Sequence, residues 1–139
     1  MRPVGLVLSD DIARIDRDVV WDFMSREAYW ARWRGRNDVE RQLETAWRLV
    51  GAYQAESGAM LGFARAISDG VALAYLADVF VVPSARRRGV AKALLHFMIE
   101  EGPGARFRWM LHTADAHELY RGFGFAEPDA TFLERRPRR

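Results

Sequence analysis

The spacing of apolar residues in the first third of the chain predicts one short strand followed by two helices. Residues 6–8 form a short apolar run that polar turn residues close, as expected for a strand. Apolar side chains then recur every three to four positions within residues 15–33, which is the period of an amphipathic helix. Asn37 or Asp38 is placed to cap a second helix that runs to about Trp47.

The pattern then changes to runs that are typical of β-strands. Three such runs follow one another: residues 48–55, 61–67 and 71–82. The polar segments 56–58 and 68–70 separate them, and turns this short join antiparallel strands. The third run is almost continuously apolar, which is typical of a strand in the middle of a sheet covered on both faces.

The last third of the chain predicts a helical crossover between parallel strands. Residues 86–101 carry apolar side chains on one helical face, and residues 106–112 predict another strand. Because a helix separates this strand from residues 71–82, we expect the two strands to be parallel. A short helix over residues 116–121 and a final strand near residues 131–134 complete the order. We therefore predict an α+β, or mixed α/β, domain whose helices cover a central sheet.

Composition excludes several classes of protein. The chain has 139 residues, 50% of them hydrophobic, so we expect one domain over residues 1–139 with its own core. The absence of cysteine excludes disulfides, thiolate metal sites and a cysteine nucleophile, and we expect no metal. No apolar run approaches the about 20 residues of a membrane-spanning helix, and no secretion signal is evident. We therefore expect a cytoplasmic protein.

The net charge of +2 comes from a short basic tail and not from a basic face. The tail, residues 135–139, contains four arginines, and the remaining 17 basic and 19 acidic residues leave a net charge of −2. Proteins that bind nucleic acids usually carry a basic patch on the folded body. We therefore expect neither a nucleic acid nor a membrane as a partner.

The most informative segment is residues 82–95, where a strand ends, a tight turn follows and a helix begins. The first turn of a helix exposes unpaired backbone N–H groups at its positive dipole end, and these attract phosphate. Gly89 and Ala91 are small, which lets a bulky anion approach the backbone. Arg86 to Arg88 and Lys92 add positive charge. The segment suits a pyrophosphate, although the glycine patterns of P-loops and dinucleotide fingerprints are absent.

Two motifs resemble the GNAT superfamily of acyl-CoA-dependent N-acyltransferases. The run Arg86-Arg87-Arg88-Gly89-Val90-Ala91 matches the family signature Q/R-x-x-G-x-G/A, and Val82-Pro83 precedes it as in that family. The run Leu119 to Phe125 resembles the family's L-Y-x-x-x-G-F motif. The resemblance covers about residues 61–125. It implies a single-domain fold whose mixed, mostly antiparallel sheet splays between the fourth and fifth strands, with helices on both faces.

The resemblance also implies acetyl-CoA as the cofactor and names the residues that contact it. Backbone N–H groups of the first motif are expected to hold the pyrophosphate, and the end of the preceding strand is expected to pair with the pantetheine arm. Thr113 stands where the family often has Asn. The expected cofactor-binding residues are Phe80, Val81, Val82, Arg86, Arg87, Arg88, Gly89, Val90, Ala91, Lys92 and Thr113.

The resemblance places Tyr120 at the position of the general acid that protonates the leaving sulfur, although an aromatic core residue is the alternative. A backbone N–H near Phe80 or Val81 is expected to stabilise the oxyanion. Asp78 is a lone acid in an apolar strand, so we expect burial to raise its pKa and make it a base. Alternatively, Asp78 satisfies an arginine such as Arg65.

Further polar residues lie close to the second motif. His112 and Glu118 are alternative bases, and a water chain with no dedicated base would also serve. Asp115 stands three residues before Glu118, a spacing that resembles a capping box, so we expect Asp115 to cap the short helix. These residues form neither a catalytic triad nor a set of metal ligands along the sequence.

Three aromatic residues between the first two helices are candidates for the acceptor site. Tyr29, Trp30 and Trp33 either form the core-facing edge of the first helix or line a substrate pocket, as the matching segment usually does in GNAT proteins. Arginines flank them, which suits an acceptor with an apolar or anionic part beside its amine. Exposed aromatics would equally suit a homodimer interface.

These observations favour an enzyme that moves an acetyl group from acetyl-CoA to a primary amine of a small molecule, by direct attack within a ternary complex. The alternative within enzymes is a protein or peptide N-acetyltransferase, which predicts an open groove in place of a closed aromatic pocket. The alternative outside enzymes is a non-catalytic acyl-CoA-binding sensor on the same fold.

Overall fold

The structure is a computed structural model that describes residues 2–28 and 33–138. In that part of the chain the strands form one five-stranded sheet in which they follow one another in chain order. The strands are β1 (Leu6–Ser9), β2 (Arg48–Gln54), β3 (Met60–Ser68), β4 (Leu73–Val81) and β5 (Arg108–Leu111). β1 to β4 pair antiparallel, and β4 pairs with β5 in parallel. The predicted mixed, mostly antiparallel sheet is confirmed.

Helices lie on both faces of this sheet. They are α1 (Arg17–Arg26), α2 (Arg36–Thr45), α3 (Val90–Leu95) and α4 (His117–Arg121). α3 continues into a π-helical turn (His96–Glu100), and 3-10 turns (Ile12–Arg14 and Pro83–Ala85) precede α1 and α3. Within the described ranges, no helix has the length and apolar character needed to span a bilayer.

The two helical layers enclose two parts of the core. On one face, α3 and its π-helical turn place Leu94, Leu95 and Met98 against the sheet, and these side chains are fully buried. On the other face, Phe23 of α1 stacks on Phe80 of β4 with ring centroids 4.2 Å apart. β4 contributes to both parts because successive side chains of a strand point to opposite faces. The predicted cover on both faces is confirmed.

Helix starts differ from the prediction where a local hydrogen bond decides them. α1 begins after Asp16, whose carboxylate accepts a hydrogen bond from the N–H of Val19 at 3.1 Å. It ends at Arg26, so the prediction of one helix as far as residue 33 is wrong. In α2 the N-cap is Gly35, and Asp38 accepts the Gly35 N–H at 2.9 Å from within the first turn.

Two predicted elements near the C-terminal half are also corrected. α3 begins at Val90 and not at residue 86, because Arg87 and Gly89 have positive φ angles of 65° and 78°, which a right-handed helix does not contain. The predicted strand at residues 131–134 is absent from the described chain. There the carboxylate of Asp129 accepts hydrogen bonds from the N–H and hydroxyl of Thr131, which turns the backbone in place of extending it.

β4 and β5 pair along only part of β4. Residues Leu73 to Leu76 pair with Arg108 to Leu111, whereas β4 continues to Val81 with no described strand beside it on that side. The sheet therefore opens into a gap between β4 and the continuation of β5. The predicted splay between the fourth and fifth strands is confirmed.

A β-bulge lies at the same point of β4. In the β3–β4 register, Arg65 pairs with Asp78, but the next residue of β3, Ala66, pairs with Leu76. Ala77 is therefore an extra residue, and such a bulge reverses the alternation of side chains. As a result Leu76 packs against the α3 side, while Asp78 points to the side of α1 and α2.

The α3 layer gives a direct test of the core. Replacing the fully buried Leu94 by Ala removes apolar contacts and leaves a cavity, so we expect the free energy of unfolding to fall by about 2–5 kcal/mol. Chemical denaturation measures this. The matched control is Leu133→Ala at a position that is 91% exposed, where we expect a change below about 0.5 kcal/mol. Equal effects of both substitutions would contradict the described packing.

Candidate active site

The turn before α3, residues 86–92, is built to present its backbone N–H groups. In the described structure, no acceptor is found for the N–H groups of residues 87–92. The side chains of two arginines hold the turn in place, since Arg86 Nε donates to Val81 O at 3.2 Å and Arg88 Nη2 donates to Ser84 O at 3.0 Å. Such a row of free N–H groups at a helix start fits a pyrophosphate.

Gly89 gives this turn its shape. Its φ angle of 78° lies in the left-handed region, which glycine adopts without steric cost. A side chain at this position would also approach Pro3, since an added Cβ would lie 3.5 Å from Pro3 Cγ. That a bulky anion approaches the backbone at this position stays a prediction.

The end of β4 borders the gap, and only some of its backbone groups face it. The N–H of Val82 donates to Leu61 O of β3 at 2.8 Å, so it is already used. Backbone groups of successive strand residues point to opposite sides. The N–H of Val81 therefore faces the gap, whereas that of Phe80 faces β3. Of these three residues, which the sequence analysis expected to contact the pantetheine arm, Val81 has its N–H in the suitable direction.

Tyr120 lies on α4 with its side chain largely enclosed. It is 9% exposed, and its ring packs edge-on against Phe125 with centroids 5.8 Å apart. Burial, together with the negative charge of Asp115, raises the pKa of Tyr120 to about 12. The hydroxyl therefore keeps its proton at neutral pH and can donate it to a hydrogen bond.

A cavity of about 700 Å³ runs along β5 and α4. Tyr75, His112, Thr113 and Tyr120 are among the residues that line it. It therefore brings the predicted acid, Tyr120, and one of the alternative bases, His112, to the same space.

His112 makes one hydrogen bond and one ion-pair contact that sequence reasoning missed. Its Nδ1 lies 2.6 Å from the hydroxyl of Tyr75, and its Nε2 lies 2.6 Å from a carboxylate oxygen of Glu134. If Nε2 carries the ring proton, Nδ1 accepts a hydrogen bond from the Tyr75 hydroxyl. No sequence pattern joins Tyr75 to His112, which are 37 positions apart. The parallel pairing of β4 and β5 brings them together.

Two predictions about α4 change in the structure. The N-cap of α4 is Ala116, and no side chain caps it, so the prediction that Asp115 caps this helix is wrong. The Ala116 N–H instead donates to the hydroxyl oxygen of Thr113 at 3.1 Å, which holds Thr113 at the end of β5 while leaving its own O–H free to donate. Glu118 is almost fully exposed and pairs with Arg121 at 3.0 Å, so it is not directed at the cavity residues.

Asp78 does not have the raised pKa that the sequence analysis expected. Its side chain is 4% exposed, and burial alone would raise its pKa. Arg34 donates hydrogen bonds to both carboxylate oxygens at 3.0 and 3.1 Å, and Arg65 donates a third at 2.8 Å. The two guanidinium groups together outweigh the effect of burial. The pKa of Asp78 is therefore lowered, and the prediction that burial makes it a base is wrong. The alternative, that it satisfies Arg65, is confirmed.

Arg34 connects this carboxylate to the segment between α1 and α2. It also donates to the side-chain oxygen of Gln42, and its Nη2 lies 3.3 Å from the sulfur of Met24. Trp33 beside it is 55% exposed, and its ring centroid lies 5.9 Å from Cζ of Arg34. Two other predicted acceptor residues, Tyr29 and Trp30, lie outside the described residues. No group of residues able to hold a metal ion occurs among those described.

The chain is similar to acetyltransferases of known structure. Residues 47–127 match the family model of an acetyltransferase (GNAT) domain. A GNAT-family protein from Xanthomonas campestris pv. campestris is 31% identical with a TM-score of 0.89, over 98% of this chain and 96% of that chain. No curated protein matches the sequence.

More distant structures share the fold. A protein from Deinococcus radiodurans R1, described as an acetyltransferase, is 21% identical with a TM-score of 0.69, over 97% of this chain and 92% of that chain. An aminoglycoside acetyltransferase from an uncultured soil metagenomic sample, in complex with sisomicin, is 13% identical with a TM-score of 0.62, over 96% and 97%. At these identities the likeness concerns the fold alone.

The buried carboxylate makes a prediction about stability and its pH dependence. Asp78→Asn leaves Arg34 and Arg65 buried without a counter-charge, so we expect the free energy of unfolding at pH 7 to fall by about 3–5 kcal/mol. Because the pKa is lowered in the folded state, the contribution of the carboxylate is complete above its ordinary pKa of 3.8 and disappears as the pH falls further. Denaturation at several pH values should show this difference between the wild type and the variant shrinking below about pH 4.

The matched control for this variant is Asp22→Asn. Asp22 pairs with Arg26 at 3.0 Å on the surface, where both side chains are mostly exposed, so we expect little change at any of these pH values. A variant of Asp78 as stable as this control would show that the buried ion pairs do not hold the structure together.

Proposed function

The chain belongs to the GNAT family of acetyltransferases, and from that membership we propose that it transfers the acetyl group of acetyl-CoA to a primary amine of a small molecule. One observation carries the proposal: the free N–H groups of residues 87–92 directly follow the strand edge that borders the gap. The turn that would bind a pyrophosphate is therefore continuous with the strand edge that would pair with the pantetheine arm. A cavity of about 700 Å³ along β5 and α4, which Tyr75 of β4 also lines, is of a size that small ligands use.

The residues that would hold acetyl-CoA are those of the turn and of the β4 edge. When bound, acetyl-CoA supplies an acetyl group activated as a thioester. The N–H groups of residues 87–92 would bind the pyrophosphate, and the positive charges of Arg87 and Lys92 would add attraction. The backbone of Val79, which lies on the same side of the strand as Val81, would pair with the pantetheine arm, since the C=O of Val81 already accepts from Arg86.

A backbone N–H at the end of β4 would assist the attack on the carbonyl. The amine nitrogen forms a bond to the carbonyl carbon, and the carbon–sulfur bond breaks. The N–H of Val81 is directed into the gap, where it would stabilise the negative charge that develops on the carbonyl oxygen. Holding the amine and the carbonyl in line would supply a further part of the rate enhancement.

Tyr120 would stabilise the sulfur as it departs. A thiol has an ordinary pKa of about 8.5, so a tyrosine with a pKa of about 12 is the weaker acid. Tyr120 would therefore act mainly by donating a hydrogen bond to the thiolate, at the position that the family resemblance gives to a general acid. This hydrogen bond grows stronger as charge develops on the sulfur, which lowers the barrier.

The proton of the amine would leave through the chain of Tyr75, His112 and Glu134. Both nitrogens of His112 are engaged, so the hydroxyl of Tyr75 is the end of the chain that remains for the amine. The Tyr75 oxygen would take the amine proton while its own proton moves to Nδ1 of His112. Glu134 would stabilise the imidazolium that results. This arrangement replaces Asp78, whose pKa is lowered, as the proposed base.

Gly89→Glu tests the proposed cofactor site. A carboxylate in the turn would block and repel the pyrophosphate, so we expect calorimetry to show acetyl-CoA binding by the wild type and none by the variant. The matched control is Gly58→Glu. Gly58 has nearly the same φ angle, 75°, and open space around it, but it lies in the turn between β2 and β3. This control bears the same backbone strain and should bind normally. Equal loss in both variants would contradict the proposed site.

Tyr120→Phe tests the proposed donor to sulfur. Removal of the hydroxyl should lower kcat by about 10²- to 10³-fold while the KM for acetyl-CoA changes little, because the hydrogen bond strengthens as the sulfur departs. Steady-state kinetics measure both constants. The matched control is Tyr53→Phe, since the Tyr53 hydroxyl is buried without a partner among the described residues and lies in the other part of the core. Unchanged turnover after Tyr120→Phe would overturn the assignment.

A further inference from the structure

Two arginines share one carboxylate in the protein interior, which leaves a surplus of positive charge there. Arg34 and Arg65 both bind Asp78, and the three side chains are 4–7% exposed. Within the described residues, no second carboxylate pairs with either arginine. Buried charges are normally paired, so a surplus guanidinium beside an active site is a candidate for binding an anion.

The surplus lies on Arg65. Its Nε donates to Asp78 at 2.8 Å, whereas its Nη1 and Nη2 donate to no acceptor in the part of the chain that the structure describes. Arg34 differs, because both of its terminal nitrogens bind Asp78 and its unpartnered Nε is fully enclosed. The terminal nitrogens of a guanidinium form a planar fork that matches the two oxygens of a carboxylate.

Arg65 lies on β3, opposite the part of β4 where the pairing with β5 has ended. Its partner Asp78 is the second residue of β4 beyond Leu76, the last residue of β4 that pairs with β5. The charge of Arg65 also reaches Tyr75, which lines the cavity. Burial raises the pKa of Tyr75, and Arg65 opposes that rise.

We propose that Nη1 and Nη2 of Arg65 bind a carboxylate of the acceptor, so that the acceptor is a small amine that also carries a carboxylate. That the amine of this ligand is acetylated rests on the proposed function. Binding of its carboxylate by Arg65 does not require acetyl transfer. Binding neutralises the surplus charge beside Asp78 and fixes one end of the acceptor. The amine at the other end can then be directed toward Tyr75 and the gap.

Calorimetry with matched pairs of ligands tests the site in the wild-type protein, without any turnover. The pairs are glycine and glycinamide, β-alanine and β-alaninamide, and γ-aminobutyrate and its amide. Each amide keeps the amine and the size of the acid but lacks the negative charge. In the presence of saturating coenzyme A, at least one acid should bind about 10- to 100-fold more tightly than its amide.

The same pairs serve as acceptors in an acetyl transfer assay. For the preferred pair, kcat/KM should be higher for the acid than for its amide, mainly because the KM of the acid is lower. Arg65→Lys keeps the charge beside Asp78 but loses the planar fork, so the preference should fall to a few-fold. Arg36→Gln is the matched control, because Arg36 pairs with Asp18 on the surface and should keep the full preference.

The outcomes separate this proposal from the proposed function. Tighter binding of an acid without acetylation of any amine would support the anion site and overturn the proposed function. Acetylation of acids and amides at equal kcat/KM, with equal affinities, would overturn the anion site and leave the function standing. If Arg65→Lys does not fold, the wild-type affinities decide alone. A stronger preference for phosphoethanolamine than for every acid would overturn the carboxylate assignment.

Discussion

The early end of the pairing between β4 and β5 is the constraint on which the site depends. Past Leu76 the backbone of β4 has a partner strand on only one side, so its N–H and C=O groups on the other side need a different partner. An extended ligand that pairs like a strand meets that need, and the turn at residues 86–92 follows immediately with free N–H groups. In the proposed function, main-chain geometry would therefore place the acyl donor, and side chains would only surround it. This explains why a short turn motif carries so much of the family signature.

The β-bulge at Ala77 extends the same constraint to the acceptor side. Without the extra residue, Asp78 would share a face with Leu76 and lie against α3. With it, Asp78 meets Arg34, and the segment that follows α1 becomes attached to the strand that borders the gap. A carboxylate between two guanidinium groups stays ionised in spite of its burial, because their attraction exceeds the cost of desolvation. The ion pairs thus link β3, β4 and the segment that follows α1.

Sequence reasoning succeeded where local patterns carry the information. Apolar periodicity found every strand of the sheet, and the motif around Gly89 placed the turn before α3. At Asp78 the suggested partner Arg65 was right but the expected pKa was wrong, because a lone acid in an apolar strand does not reveal that Arg34, 44 positions away, also binds it. Sequence reasoning failed at residues 131–134, where apolar residues suggested a strand but the hydrogen bonds of Asp129 turn the chain. Tyr75 and Glu134 carried no sequence signal at all.

The sequence by itself determined the fold class, the order of the elements as far as α4 and the place of the turn before α3. These follow from periodicity and from conformations that only a few residues adopt, such as the positive φ angle of Gly89. Only the tertiary structure decided which side chains act together. The protonation of Asp78, the chain from Tyr75 to Glu134 and the unused nitrogens of Arg65 all depend on contacts between distant positions. Burial and charge act through distance in space, and distance in space is set by strand register and not by local sequence.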